Sequence, residues 1–377
     1  MMGIYEELGV KKFINAAGTY TAIGATKMKE EAIKNMLEAS KSYIDIADLL
    51  KSINTRIAEM THNEGAFVCN SCSTAIYLTA AAFVADKYKK PFKYIADEDV
   101  RKCEFIGIWN QHIPYDHAIE QLGVKMNFIG YTNPQGELSK TDLQMAINEN
   151  TVGIYFAPRT PKGYIGKNCL NLENVIDVSK KMNIPVLVDA AAQLPPKSNL
   201  WEFTKMGADI VTFSGGKDLA GPQASGLALG KKKYINIIEE TGFPNYSAGR
   251  IMKIGREEMV ALYTAVKIYM ESDENERLLW CEKEVEKLKN LLSKSKIYSV
   301  ERCWPNQAGQ SLPRSFVRVQ DNEMAERIRD MLMEFNPGVF CFTEHKNGIY
   351  INPMCMENGD TEYIAEKLME IENSKLI

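Results

Sequence analysis

Short apolar runs separated by amphipathic stretches dominate the middle of the chain. From Gly65 onward, apolar segments at 66–69, 104–108, 125–130, 152–157, 185–189, 210–213 and 226–229 predict strands. Between them, apolar positions at helical spacing predict helices over 73–87, 114–122, 140–148, 171–182 and 199–206. This alternation predicts an α/β fold: a mostly parallel seven-stranded sheet covered by helices. Ligands of such sheets gather at the carboxyl ends of strands, beside helix N-termini. Upstream, residues 1–25 read as a small, turn-rich arm, and 27–62 as helical through Ala32, Met36, Ile44, Ile46, Leu49, Leu50 and Ile57. After Gly242 a long helix over about 256–293, broken near Asp273, leads into strands 297–301, 315–320, 339–343 and 348–351. Helices 322–334 and 360–372 complete a small α+β domain. The expected division is an N-terminal arm with helices (1–62), a large α/β domain (63–255) and a smaller C-terminal α+β domain (256–377).

Composition narrows the function classes. With 45% hydrophobic and 25% charged residues, the 377-residue chain has the balance of an ordinary soluble globular protein. A net charge of -4 implies no basic surface overall, so nucleic acid is not an expected partner. The first residues lack the basic start and apolar core of a signal peptide, and no apolar run is long enough to predict a membrane span. Eight scattered cysteines fit reduced thiols in a cytoplasmic enzyme better than a disulfide scaffold. Cys69 and Cys72 form a CxxC, but zinc would want a second Cys or His pair at suitable spacing, and none is found.

The stretch from Asp209 to Gly226 concentrates the chemistry. An apolar strand empties into Ser214-Gly215-Gly216-Lys217, where two glycines allow a sharp turn and a close approach. A lysine beside a core strand is costly to desolvate, and desolvation makes it an amine nucleophile. Lys217 is the candidate to hold pyridoxal phosphate through its amine; the plainer alternative is a turn lysine in water. After strand 66–69, the small residues Ser71, Cys72 and Ser73 open a helix whose N–H groups suit a phosphate, or serve as an ordinary cap. Asp189 ends an apolar strand, where a carboxylate needs a partner; a pyridinium N–H would serve, as would a turn or helix cap. Ser214 stands three residues before Lys217 as a further phosphate donor, and His112, after strand 104–108, as a ring-stacking candidate. An S-x-x-K hydrolase would need S-D-N and K-T-G strings, which do not occur. A Walker A loop would need Gly at 211 and Ser or Thr at 218, where Val and Asp stand.

These segments resemble the selenocysteine synthase-like branch of the pyridoxal-phosphate enzymes, of aspartate-aminotransferase fold, and within it D-glucosaminate-6-phosphate ammonia-lyase-like proteins. The match is carried by 208–217 continuing into 221–226, by Ile14-Asn15-Ala16-Ala17-Gly18-Thr19, by 188–196 and by Tyr115-Asp116-His117. The resemblance implies that Lys217 carries the cofactor and that Asp189 faces the pyridine nitrogen. It matches Ser71, Cys72, Ser73 and Ser214 to phosphate ligands and His112 to the ring-stacking position, and it implies a homodimer or higher homo-oligomer with shared active sites. The expected function is a lyase of α,β-elimination type, releasing ammonia and a 2-keto product from a small amino acid or amino sugar acid. Another reaction on the same cofactor (racemase, aldolase, desulfurase or transaminase) or a selenium transferase-like role stays open. Arg159, Arg250, Arg256 and Arg314 are candidates for the substrate carboxylate. Many ammonia-lyase-like members carry Arg where Ala220 stands, and members acting on seryl-tRNA have an extra N-terminal segment; a tRNA substrate is not expected here.

Overall fold

The structure is a computed structural model describing residues 3–130, 136–158, 169–306 and 308–374. The chain divides into two compact units, Met28–Ser272 and Met1–Lys27 with Asp273–Ile377. The boundaries read from sequence at 62/63 and 255/256 both fall inside the first of these. The flanking helices belong there because they feed its core: Leu50, Ile53 and Ile57 before the sheet, and Met259, Leu262 and Val266 after it, join one buried cluster.

Strand β1 (Phe13–Asn15) lies in the smaller unit. The larger unit is built on β2 (Gly65–Cys69), β3 (Glu104–Ile108), β4 (Lys125–Ile129), β5 (Thr151–Phe156), β6 (Val186–Asp189), β7 (Ile210–Ser214) and β8 (Gly226–Gly230). They form one sheet in the order β2-β8-β7-β6-β5-β3-β4. Only β8 runs antiparallel, to both its neighbours. Because β2, β5, β6 and β8 are buried along their whole length, their sequences read as continuous apolar runs rather than alternations. Each strand begins and ends within one residue of its expected limits.

The helices carry their stops in sequence. Asn171 caps the helix Leu172–Met182 through a hydrogen bond from the Asn174 amide (2.8 Å), and Asn183 ends it in the left-handed region (φ +53°). Two expectations need correction. The helical stretch 27–62 is two helices, Glu30–Ala39 and Ile46–Met60, because Asp45 accepts from the amides of Ala47 and Asp48 and starts a new helix. The expected helix 114–122 is a 3-10 turn at Pro114–Asp116 and a short helix His117–Glu120, closed by Gly123 at φ +94°.

In the smaller unit, β9 (Ser299–Cys303), β10 (Arg314–Arg318), β11 (Gly338–Phe340) and β12 (Gly348–Ile351) follow the helix Glu274–Leu291. Strands β12-β10-β9 make an antiparallel sheet, while β1 pairs in parallel with β11. That last pair is a strand in a segment expected to be only a turn-rich arm. The break anticipated near Asp273 is present: Asp273 caps Glu274–Leu291 by accepting from the Asn275 amide (2.8 Å).

Candidate active site

Strand pairing brings the separate sequence signals to one edge of the larger unit's sheet. Cys69 at the end of β2 pairs with Gly226, and Gly226 pairs with Ser214 at the end of β7. A Cβ on Gly226 would lie 2.2 Å from the Ser71 carbonyl carbon and 2.5 Å from the Cys72 nitrogen. The start of β8 therefore touches the start of the helix Cys72–Tyr88. Ser71 caps that helix by accepting from the Thr74 amide (3.0 Å), and Thr74 Oγ1 donates to Asn70 (2.6 Å). The first-turn N–H groups of a 17-residue, largely buried helix point out of its N-terminus with its positive dipole end.

Asp189 lies on the next strand over, opposite Thr212 of β7. It is buried, and its partners are neutral: Tyr155 Oη donates to Oδ2 (2.8 Å), the Ala191 amide donates to Oδ1 (3.0 Å), and Cys72 Sγ lies 3.7 Å from Oδ1. Among the described residues no cation forms an ion pair with it. Burial pushes the Cys72 thiol well above its ordinary range; the Asp189 charge adds to this, while the Lys217 ammonium pulls the other way. Cys72 thus sits within electrostatic reach of both the acid and the lysine. The Tyr155 hydroxyl is raised by burial and then by Asp189. Tyr155 was not among the residues read from sequence; inside an apolar strand, a tyrosine looks like core.

Lys217 is half-buried, with Nζ 5.8 Å from the centre of the Tyr115 ring. Its loop is closed by backbone bonds from Gly215 to Ser225 (3.0 Å) and from Gly221 to Gly215 (2.9 Å). The glycine before it is required by proximity: a Cβ on Gly216 would lie 2.5 Å from Gln223 Cα. What approaches so closely is the protein's own returning chain. Behind the loop, Tyr269 donates to the buried Asp218 (2.7 Å).

His112 follows a 3-10 turn at the end of β3 and is about half exposed. Its Nδ1 lies 2.7 Å from the buried Asp116 carboxylate, which also accepts from the Ile113 amide (3.1 Å). The imidazole lies near-parallel to Trp109 (5.7 Å between centres, 22°) and edge-on to Phe128 (4.6 Å). His117, by contrast, is exposed beside Glu120.

The arginine candidates separate by setting. Arg256 donates from Nε and Nη2 to the Ala39 and Ser40 carbonyls (2.9 Å each), holding the end of the helix Glu30–Ala39, and lies 3.2 Å from Glu257. Arg250 lies over the Phe243 and Tyr246 rings, at 5.4 and 5.7 Å. Within the smaller unit, buried Arg314 meets Glu344 through both terminal nitrogens and stacks 3.6 Å from the Tyr350 ring centre. Arg159 lies outside the described residues. Ala220 adopts the left-handed conformation at φ +54°.

The sheet order, one reversed strand and second α+β unit define a protein of the aspartate-aminotransferase-like α/β class. Over residues 13–295 the sequence matches the family described as "SelA: L-seryl-tRNA selenium transferase", and the chain belongs to that family. It is 24% identical to the D-glucosaminate-6-phosphate ammonia lyase of Salmonella typhimurium over 98% of this chain and 97% of that one. It is also 23% identical to a 5'-C-glycyluridine monooxygenase-decarboxylase of a Streptomyces species, over 97% and 91%. The solved structure of a D-glucosaminate-6-phosphate ammonia-lyase superposes with a TM-score of 0.81, covering 99% and 98% of the two chains at 23% identity.

Proposed function

We propose that the protein is a pyridoxal-phosphate-dependent lyase that removes a β-leaving group and ammonia from a small amino acid or amino sugar acid, leaving a 2-keto product. The observation that carries this reading is Asp189: a buried carboxylate at a strand end, surrounded by neutral donors, with the Lys217 ammonium close enough to act on the same Cys72 thiol. A buried charge of this kind is costly unless a cation or strong donor completes it, and a pyridinium N–H fits that requirement. The remaining donors also suit the cofactor. The helix start at Ser71, Cys72 and Ser73, with Ser214 two paired strands away, suits a phosphate.

In this reading bound pyridoxal phosphate supplies the electron sink for the Cα carbanion. Lys217 would hold the cofactor through its amine, and the same amine would serve as the base for the substrate's Cα proton. Asp189 would receive the ring nitrogen's N–H, and His112, its Nδ1 held by Asp116, would stack on the ring. Of the arginines, Arg250 remains a candidate for the substrate carboxylate; Arg256 is engaged by helix carbonyls and Arg314 by Glu344. Arg159 is proposed on sequence grounds alone. The same reading implies a cytoplasmic homodimer or larger homo-oligomer with shared active sites, acting on a small molecule rather than nucleic acid; no described helix is long and apolar enough to cross a membrane.

A second reading keeps the site and changes the bond cleaved. It is favoured by the Streptomyces relative, whose name denotes oxidative decarboxylation. Incubating the purified protein and pyridoxal phosphate with amino acids and amino sugar acids separates the two. The lyase reading predicts ammonia and a 2-keto acid in equal amounts; carbon dioxide release, racemisation or amino transfer would favour the second.

A further inference from the structure

Tyr155 is the next-to-last residue of β5, 1% exposed, between strands that are themselves largely buried. Core packing does not call for a hydroxyl there. Phenylalanine would fill the space and leave no polar atom to satisfy. Yet the hydroxyl donates to Asp189 Oδ2 at 2.8 Å, while the Ala191 amide holds Oδ1 at 3.0 Å. A carboxylate turns readily about its terminal torsion, whose energy profile is broad. Held at one oxygen only, Asp189 would be free to swing; held at both, its plane is fixed.

We propose that Tyr155 is a positioning residue for the cofactor's ring nitrogen: its hydroxyl locks the Asp189 carboxylate in the orientation that receives the pyridinium N–H. The inference rests on the cofactor reading above. Burial, the Asp189 charge and the more distant Asp116 charge all hold the Tyr155 hydroxyl in its protonated form. These effects favour the hydroxyl as a donor to the carboxylate. The Cys72 thiol faces the same carboxylate at 3.7 Å, and its pKa is likewise raised, so it too stays neutral. The pyridinium N–H would then be a cationic donor to Asp189 beside three neutral partners.

The test compares two ligands that differ at one atom. Cofactor-free wild type, Tyr155→Phe and Asp189→Asn proteins are titrated with pyridoxal phosphate and with its 1-deaza analogue, in which C–H replaces the ring nitrogen, and Kd is read from tryptophan fluorescence. Tyr155→Phe is expected to weaken pyridoxal phosphate binding about tenfold, the scale of one hydrogen bond to a charged group, and to leave the analogue's Kd unchanged. In the Asp189→Asn background, adding Tyr155→Phe should change neither Kd, because the carboxylate it acts through is gone. Equal weakening of both ligands would assign Tyr155 to packing and overturn the inference, as would no change in either. If wild type binds neither ligand, the cofactor reading itself falls. Binding in wild type with no difference between the ligands in Tyr155→Phe overturns only the role of Tyr155.

Discussion

Asp189 and its neighbours are a problem in desolvation. The carboxylate is buried among a phenol, an amide and a thiol, and the phenol and thiol are held neutral because burial and the carboxylate's own charge oppose their ionisation. The same physics governs the CxxC. Burial pushes the Cys69 thiol up to about 12 and Cys72 higher than its ordinary range, so neither supplies thiolate near neutral pH. Iodoacetamide at pH 8 should therefore label the half-buried Cys303 and Cys355 while leaving Cys69 and Cys72 untouched in the folded protein, as mapped by peptide mass spectrometry. Rapid labelling of either buried thiol would contradict this arrangement. Residues of this kind were legible in sequence when their presence was chemically expensive: a lysine after two glycines at a strand end, an aspartate closing an apolar run. Tyr155 was not legible, because an aromatic in a buried strand is ordinary until its hydroxyl is seen to have a purpose. Arg256 shows the opposite case. Its charge suggested a ligand, and only the fold reveals the helix carbonyls it holds.

Among elements, backbone contact between the start of β8 and the start of the helix Cys72–Tyr88 sets the spacing of the Ser71 and Ser214 loops. Gly226 makes that contact possible, since any side chain there would meet the Ser71 backbone at 2.2 Å. Gly226→Ala should cost about 1–3 kcal/mol, the usual range for overpacking a well-packed site, and should weaken pyridoxal phosphate binding as the helix start is displaced. Urea unfolding and cofactor titration read the two effects; an unchanged midpoint would mean that the helix start yields freely. The seven sheet strands were visible because burial on both faces forces continuous apolar runs. The break at Asp273 was visible because a capping aspartate marks it. The β1–β11 pair was not, since three residues pairing across more than 300 positions of chain leave no local pattern. The gap at 40–45 was missed because Ile44 supplies an apolar position inside it, between the helices on either side.

For the whole molecule, a family defined over residues 13–295 and a fold shared across nearly the full chain leave the chemistry to be decided at the strand ends. The proposed homo-oligomer predicts that sedimentation at micromolar concentration gives at least the mass of two 42.5 kDa chains. A single-chain mass would rule out shared active sites. The most direct test of the central claim is the absorbance spectrum of the purified protein with pyridoxal phosphate, beside Lys217→Ala, before and after borohydride. The account predicts a visible band in the wild type that borohydride bleaches, with the cofactor then covalently attached to the peptide carrying Lys217 and no attachment in the variant. No visible band after cofactor is added, or attachment at a different lysine, would contradict it.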